Sequence, residues 1–182
     1  MIVGTNLILR AYAADDDAVR LADIAGPFEV ARWMTHVFPH PYTQRDAQAW
    51  IAMASQQSPV TGFAIIVDGE LAGGVGLHPQ AGESGGIAKF GYWLGRAYWG
   101  RGLATEAGRL LVQHAFRAFD LRRLEARVAA PNCASARVLE KCGFTREGIL
   151  RDGFVERNGA VHDAFLFGLL RSEAPQFQAR TG

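Results

Sequence analysis

The sequence predicts a single α/β domain, and three observations lead to this prediction. Residues 90–116 change from alternating to helical hydrophobic spacing across a glycine-containing turn, as a strand followed by a long helix does. Asp68-Gly69 and Asn158-Gly159 each separate two strand-like segments, which is typical of hairpin turns. A length of 182 residues is sufficient for one domain with its own hydrophobic core.

The first part of the chain predicts one strand and three helical segments. A strand over 7–12 precedes an acidic D-D-D run, which opens a helix through Ala25. A second helical stretch over 28–34 leads into T-H-V-F-P-H-P-Y, whose prolines exclude regular structure. Its aromatic and histidine side chains suggest a segment that lines a substrate cleft. Thr43 and Asp46 then resemble a capping box that opens a further helix.

The rest of the chain predicts most of the sheet. Strands over 62–67 and 70–77 form the first hairpin, and a strand over 90–94 precedes the long helix. A strand over 124–129 leads to a helix that begins at Asn132 and ends at Lys141. Strands over 144–155 and 161–170 form the second hairpin.

Composition and charge exclude several functional classes. Hydrophobic residues make up 49% and charged residues 20% of the chain, which is ordinary for a globular domain and unlike disordered chains. The net charge of +1 argues against a nucleic-acid partner, and no segment approaches the roughly 18 apolar residues of a membrane helix. Cys133 and Cys142 form no C-x-x-C or metal-ligand pattern, which predicts reduced thiols, no metal and a cytoplasmic location.

The turn between the central strand and the long helix predicts an anion site. A helix entered through Gly100 and Gly102 points unpaired N–H groups and a positive dipole end at the turn, where a pyrophosphate fits best. Arg96 and Arg101 flank the turn, and Thr105 offers a hydroxyl group. The alternative interpretation is that the two glycines only allow the chain to turn from the strand into the helix, and that no ligand binds there. Neither a dinucleotide fingerprint nor a Walker A loop is present.

This turn resembles the pyrophosphate loop of the Gcn5-related N-acetyltransferase (GNAT) superfamily, whose pattern is Arg/Gln-x-x-Gly-x-Gly/Ala. Trp99, Gly102 and Ala104 occupy the three anchor positions, and Trp99 departs from the consensus. The stretch Y-W-G-R-G-L-A-T-E-A is similar to the RimJ/RimL-like branch of ribosomal-protein N-terminal acetyltransferases. The resemblance implies one α+β domain over 1–182 with a mixed, mostly antiparallel sheet of about six to seven strands, splayed at the cofactor site and flanked by helices. It also implies a cofactor-binding core over 87–145 and acceptor-side elements over 13–55 and 150–171.

A second segment with the same resemblance is N-C-A-S-A-R-V-L-E-K-C-G-F, which begins at Asn132. In the family, the asparagine contacts the cofactor and the serine lies near its sulfur, so Ser135 becomes a candidate acid for the departing thiolate. Asparagine at a helix cap and serine in a first turn are also favoured without any ligand. Lys141 is a candidate for a CoA phosphate, although a helix C-terminus favours cations in any case.

The resemblance also assigns the remaining site residues. The central strand is implied to hold the pantetheine through its backbone, and a backbone N–H near Tyr92 or Trp93 to stabilise the oxyanion. Glu156 lies where the family often places a substrate residue. Together with Asn132 and Lys141, the cofactor-binding candidates are Trp93, Leu94, Trp99, Gly100, Arg101, Gly102, Leu103, Ala104 and Thr105.

The predicted function is transfer of an acetyl group from acetyl-CoA to a primary amine by direct attack, with a protein N-terminal α-amine as one acceptor class. No dedicated base is evident, which favours an α-amine or a water-relayed base, because an α-amine has a pKa near 8. One of His36, His40, His78 and His162 is an alternative base. The other open functions are acetylation of an amino acid, polyamine or aminoglycoside, and non-catalytic acyl-CoA binding. A homodimer is a further expectation from the family.

Overall fold

Eight strands form one mixed sheet in the order β1-β2-β3-β4-β5-β6-β8-β7 in the computed structural model, which describes residues 1–13 and 16–175. The β5–β6 pair is parallel, and the other pairs with a described register are antiparallel. The strands are β1 (Ile2–Val3), β2 (Ile8–Arg10), β3 (Gly62–Val67), β4 (Glu70–Pro79), β5 (Ile87–Leu94), β6 (Arg123–Ala129), β7 (Thr145–Val155) and β8 (Val161–Leu170). Six to seven strands were predicted, and β1 is the difference because two residues show no periodicity.

Five α-helices occur in the described residues, and each was predicted. They are α1 (Asp16–Ala25), α2 (Phe28–Ala31), α3 (Gln44–Ser55), α4 (Leu103–Ala118) and α5 (Cys133–Lys141). The predicted acidic start of α1 includes Asp15, which lies outside the described residues. The predicted capping box of α3 is confirmed, because Thr43 and Asp46 exchange both of its hydrogen bonds. None of these helices is long and apolar enough to span a membrane.

The two predicted hairpins are confirmed in position and differ in turn geometry. Asp68 and Gly69 have φ angles of 51° and 84°, as a tight two-residue turn requires. In the second hairpin only Gly159 has a positive φ, at 87°, among the loop residues 156–160. Its N–H donates to the Glu156 carbonyl at 2.8 Å, and the Glu156 N–H donates to the Ala160 carbonyl at 2.8 Å, so residues 157–159 form a three-residue loop.

The chain divides into two compact units, each described separately. Unit 1 comprises Met1–Gly76 and Tyr92–Ala107, and unit 2 comprises Leu77–Gly91 and the described residues from Gly108 onward. Strands β4 and β5 and helix α4 each contribute residues to both units.

The core of unit 1 lies between helices α1 and α3 and the inner face of β2, β3 and β4. Its buried members are Tyr42 and apolar side chains from α1, α3, β3 and β4, which accounts for the amphipathic pattern of both helices, and Ile8 of β2 packs against them. Four half-buried aromatic side chains pack against this core: Tyr12, Phe38, Trp50 and Trp93.

A buried ion pair joins β2 to α1 in unit 1. Arg10 donates two hydrogen bonds to the two carboxylate oxygens of Asp17, each at 2.7 Å, and the Ala13 N–H donates a third at 2.6 Å. Burial tends to raise the pKa of Asp17, but the hydrogen bonds from Arg10 and Ala13 and the guanidinium charge outweigh burial and hold the pKa below its usual value. The carboxylate is therefore ionised and paired at neutral pH.

The core of unit 2 is built from the face of β6 and β8 that carries Leu124, Ala126, Phe167 and Leu169, all of which are buried. Cross-strand partners on this face stand directly opposite one another, as Leu124 does with Leu169. Close packing requires glycine at position 108 of α4, because a β-carbon there would lie 2.7 Å from Cys142 Sγ. Helices α4 and α5 therefore approach more closely than any other residue would allow.

Arg171 follows β8 and caps the C-terminal end of α4. Its guanidinium group donates hydrogen bonds to the carbonyl oxygens of Phe116, Phe119 and Leu121, at 2.6, 2.9 and 2.7 Å. The Phe116 carbonyl lies in the last turn of α4, where acceptors are left unpaired and a cation is favoured, and the other two carbonyls follow the end of the helix.

We expect Arg171→Met to lower the free energy of unfolding by about 2 kcal/mol, because three carbonyl groups lose a charged donor. Urea denaturation measures this loss. Arg117→Met, an exposed arginine in the last turn of α4, is the control and should change stability by less than about 0.5 kcal/mol. Equal stability of the two variants would show that the cap contributes nothing.

Candidate active site

At two positions of the turn between β5 and α4, the backbone has a conformation that only glycine adopts readily. Strand β5 ends at Leu94, a short 3-10 helix spans Arg96–Tyr98, and α4 begins at Leu103. Gly100 and Gly102 have φ angles of 74° and 77°, and a β-carbon on either would meet no atom within 4 Å. The left-handed backbone, and not crowding, therefore requires glycine here.

This backbone presents a row of N–H groups without protein acceptors. The Gly102 carbonyl accepts the N–H groups of Thr105 and Glu106, each at 3.1 Å, and so begins the hydrogen bonding of α4. In the described part of the chain, no acceptor is recorded for the backbone N–H groups of residues 100–104. Successive donors at the start of a 16-residue helix, beside open space, form a concave site for an anion. The pyrophosphate of CoA fits this donor set.

Side chains around the turn hold it in shape. The Trp99 indole Nε1 donates to the Leu94 carbonyl at 2.8 Å and so ties the turn to the end of β5. Tyr98 is buried, and its hydroxyl accepts a hydrogen bond from Arg20 at 3.1 Å. Trp99 therefore has an evident packing role at the position where the GNAT consensus has arginine or glutamine.

The two arginines that flank the turn are paired with surface carboxylates. Arg96 contacts Glu29 at 3.0 Å, and Arg101 contacts Asp68 in the β3–β4 turn at 3.7 Å. Exposed pairs of this kind contribute little stability, so either guanidinium group can exchange its carboxylate for a phosphate at low cost. Sequence analysis had predicted the cations and missed their partners.

Glu106 is a further residue of this region that sequence analysis missed. Its Oε1 accepts the N–H groups of Thr5 and Asn6 at 2.5 and 2.9 Å, and its Oε2 accepts the Asn6 side-chain amide at 2.8 Å. The first turn of α4 therefore anchors the segment between β1 and β2. An acidic residue in a first helical turn was the available signal, but its partners lie about one hundred positions away.

Trp93 belongs to the aromatic group in unit 1. Its ring lies 5.8 Å from that of Phe38, which in turn lies 4.8 Å from that of Tyr42. Burial raises the pKa of Tyr42 to about 12 and also raises that of Tyr12, so both hydroxyl groups stay protonated at neutral pH. Tyr92, the candidate backbone donor, precedes Trp93 in β5 and is half-buried.

In unit 2, the predicted second motif forms the N-terminal end of α5. Asn132 is the N-cap residue, and its Oδ1 accepts the Ser135 N–H at 3.2 Å. Ser135 is half-buried one turn into the helix. The predicted cap is confirmed, and it keeps these two polar residues together at one helix end.

The C-terminal end of α5 carries one cationic residue and accepts a hydrogen bond from a second cation in α4. Lys141 is exposed, and its carbonyl accepts a hydrogen bond from Arg109 of α4 at 3.0 Å. Burial raises the pKa of the neighbouring Cys142 thiol to about 12, so this thiol is not a nucleophile at neutral pH.

Glu156, the remaining candidate, is 2% exposed at the tip of the β7–β8 hairpin. Its Oε2 lies 3.1 Å from His162 Nε2, and its Oε1 accepts the Asn158 side-chain amide at 3.2 Å.

The predicted site residues are divided between the two units. Unit 1 contains residues 92–94 and 100–105, and unit 2 contains Asn132, Ser135, Lys141 and Glu156. Among the described residues, no group of three or more His, Cys, Asp or Glu side chains is placed to hold a metal ion.

Comparisons with known proteins agree with this fold. The acetyltransferase (GNAT) domain family matches residues 6–145. An uncharacterized N-acetyltransferase p20 of Bacillus licheniformis is 33% identical over 174 residues, which cover 92% of this chain and 94% of that protein. The ribosomal-protein-serine acetyltransferase of Escherichia coli is 27% identical over 119 residues, 65% of each chain. The structure of Mycobacterium smegmatis RimJ in complex with CoA-disulfide superposes with a TM-score of 0.81 at 26% identity, covering 93% of this chain and 84% of that one.

The fold and the anion site define an acyl-CoA-dependent transferase. The chain belongs to the GNAT acetyltransferase family, within its RimJ/RimL-like branch. It is therefore an acetyltransferase with a single α+β GNAT fold that uses acetyl-CoA, and the family resemblance predicted from the two motifs is confirmed.

Proposed function

We propose that this enzyme transfers the acetyl group of acetyl-CoA to the α-amine of a polypeptide. The row of N–H groups without protein acceptors at residues 100–104 supports the acetyl-CoA part of the proposal, because it suits an anion at the position where the resemblance implies the pyrophosphate. The RimJ and ribosomal-protein-serine acetyltransferase names of two relatives support a polypeptide acceptor. A cofactor-binding core over 87–145 and acceptor-side elements over 13–55 and 150–171 follow from the same proposal.

Acetyl-CoA supplies a thioester whose carbonyl carbon is attacked by a neutral amine. The turn at Gly100 and Gly102 binds the pyrophosphate, with Arg101 and the Thr105 hydroxyl as further donors. The backbone of β5 from Tyr92 to Leu94 orients the pantetheine, and a backbone N–H at Tyr92 stabilises the developing negative charge on the carbonyl oxygen. In this proposal the amine attacks the thioester directly, and positioning of the two reactants supplies much of the acceleration.

Two residues at the start of α5, in unit 2, have proposed roles toward the same cofactor. Asn132 contacts the cofactor, and Ser135 donates the proton that the departing thiolate takes up. Lys141 at the other end of α5 provides a positive charge for a CoA phosphate. Helix α5 thus presents polar groups at its first turn and the cation Lys141 at its last.

The acceptor class is tested with matched peptides. One peptide carries a free α-amine and no lysine, and the other carries a blocked N-terminus and one lysine. We expect release of CoA thiol and an acetylated product only with the first peptide, because an α-amine is far more often neutral at pH 7 than a lysine ε-amine. A polyamine, an aminoglycoside and a free amino acid complete the panel.

The panel also decides between the alternative functions. Turnover of a small amine with neither peptide acetylated would overturn the polypeptide acceptor in favour of a small-molecule acetyltransferase. Acetyl-CoA binding without turnover of any amine would indicate a non-catalytic acyl-CoA-binding module. The homodimer and the cytoplasmic location expected from the sequence stay predictions, and light scattering at several concentrations tests the first.

A further inference from the structure

A buried carboxylate and a histidine are joined at the tip of the β7–β8 hairpin in unit 2. Glu156 is 2% exposed, whereas the side chain of His162 is 26% exposed, and their carboxylate oxygen and ring nitrogen lie 3.1 Å apart. The Asn158 amide occupies the other carboxylate oxygen. The pair therefore connects a buried acidic group to a partly exposed imidazole.

Closure of the hairpin does not require this pair. The backbone N–H groups of Gly159 and Glu156 donate to the carbonyls of Glu156 and Ala160, each at 2.8 Å, and these bonds close the loop. Removing a carboxylate from water is costly unless its oxygens are satisfied, so a buried glutamate is an expensive way to shape a surface hairpin. A role for the Glu156–His162 pair itself is the more economical explanation.

The pair lies at the end of unit 2 where α5 begins. Strand β8 pairs with β6 through Ala164 and Ala129, and the Ala130 N–H donates to the Asp163 carbonyl at 2.8 Å. From Ala130 the chain passes directly into the Asn132 cap. His162 is thus attached to the same end of the sheet as the helix start that carries Ser135.

A pinned β-bulge also shapes this end of the hairpin. Residues 151–153 stand opposite Asp163 alone, because Leu150 pairs with Ala164 and Phe154 with His162. The Asp163 carboxylate accepts the Asp152 N–H at 3.0 Å, and Arg127 donates to the Gly153 carbonyl at 3.2 Å. Bulges that are held in place in this way are common beside active sites, where they aim a side chain.

We infer that His162 is the base that accepts the proton of the acceptor ammonium group, and that Glu156 is the residue that positions it. This inference rests on the proposed function and adds the base that the mechanism lacks. An ionised carboxylate only accepts hydrogen bonds, so Nε2 of His162 carries the proton in this pair and Nδ1 is the basic nitrogen. Glu156 then stabilises the imidazolium that forms.

The proton balance is complete without any other reagent. The ammonium group gives one proton to His162 and becomes a neutral amine, its nitrogen forms the bond to the acetyl carbon, and the carbon–sulfur bond breaks. The nitrogen loses its second proton as the amide forms. The departing thiolate takes one proton from the Ser135 hydroxyl, and the second proton of the nitrogen restores that hydroxyl. His162 returns its proton to solvent. The other charged residues near this end of the hairpin are Arg151, Asp152, Arg157 and Asp163, and Arg127 lies in the neighbouring strand β6.

The test compares His162→Gln with His78→Gln, the same substitution at an exposed histidine in β4. Glutamine at 162 keeps a donor for Glu156 and cannot take up a proton. We expect kcat/KM for an α-amine peptide to fall about a hundredfold at pH 7 in His162→Gln, a normal loss for removal of a general base. We expect wild-type values in His78→Gln.

The pH profile separates catalysis from structure. Above the α-amine pKa of about 8 the acceptor is already neutral, so the deficit of His162→Gln should narrow to within about threefold at pH 9.5. Glu156→Gln should also lose activity mainly below pH 8, with unchanged acetyl-CoA affinity. A loss of equal size at every pH, together with a lower melting temperature, would show that the pair is structural only.

The remaining outcomes also decide the question. Wild-type turnover with an unchanged profile in His162→Gln would overturn the inference and leave the proposed function standing. No turnover of any amine by the wild-type enzyme would overturn both. Calorimetric titration of acetyl-CoA into each folded variant checks that cofactor binding is retained.

Discussion

Replacing Ala104 by glutamate is expected to weaken acetyl-CoA binding roughly a thousandfold. Ala104 is the second residue of α4, within the row of N–H groups that has no protein acceptor. A carboxylate there competes for these donors and repels the pyrophosphate. Loss of two hydrogen bonds to a charged group corresponds to about 4 kcal/mol, which is about a thousandfold in the dissociation constant.

The stability of this variant is expected to change in the opposite direction. A negative charge in the first turn of a helix interacts favourably with the helix dipole, so the melting temperature should be equal to or above that of wild type. Reduced binding therefore cannot be attributed to unfolding. Ala118→Glu, at the exposed far end of the same helix, adds the same charge and should bind acetyl-CoA as wild type does.

Calorimetric titration of acetyl-CoA into the three proteins gives the dissociation constants. Equal affinity of wild type and Ala104→Glu would contradict the assignment of the pyrophosphate to this turn. Equal weakening in both variants would mean that overall charge, and not the helix start, controls binding.

Asp17→Asn is expected to lower the free energy of unfolding by about 3 kcal/mol at pH 7. Asp17 is 3% exposed and accepts hydrogen bonds from Arg10 and Ala13, so asparagine removes the charge that compensates a partly buried guanidinium group. Breaking a buried ion pair costs about 3 to 5 kcal/mol, and the partial exposure of Arg10 places this pair at the lower end.

The same pair predicts a pH dependence of stability. The folded-state pKa of Asp17 lies below its usual value of about 3.9, so the unfolded chain binds a proton at higher pH than the folded chain does. The stabilisation is complete above about pH 4 and is lost as the pH falls through the folded-state pKa. The difference between wild type and Asp17→Asn should therefore shrink below pH 4.

Urea denaturation between pH 3 and 7 measures both effects. Asp23→Asn, an exposed aspartate in the same helix, is the control and should stay within about 0.5 kcal/mol of wild type. A difference between wild type and Asp17→Asn that is the same at pH 3 and pH 7 would contradict the ionised pair as its cause.

Local patterns predicted most of the elements, because the physical causes are local. The Asp68-Gly69 turn, the Thr43 capping box and the Asn132 cap depend on residues within four positions of one another. The change of hydrophobic period at the turn was enough to locate β5 and α4. Strand β1 was missed because it is identified by its pairing with β2, and a strand of two residues is too short to show an alternating pattern in the sequence.

The site was predicted less completely than the fold, for a related reason. The glycines of the turn and the helix start of α5 could be identified because they form parts of short motifs. The contacts of Glu106 with Thr5 and of Arg171 with Phe116 join residues more than fifty positions apart. The Arg101–Asp68 pair also joins residues of different elements, and no periodicity indicates such contacts. His162 was one of four equivalent histidines until the hairpin brought it to Glu156.

The most direct test of the central claim is the response of the backbone amides of the turn to ligand. In proton–nitrogen correlation spectra of the labelled enzyme, CoA should shift the Gly100 and Gly102 amide signals strongly, because their N–H groups then donate to phosphate oxygens. Pantetheine, which lacks the pyrophosphate, should leave both signals in place. Equal shifts with the two ligands, or saturation with CoA that leaves both glycine signals unmoved, would contradict the account.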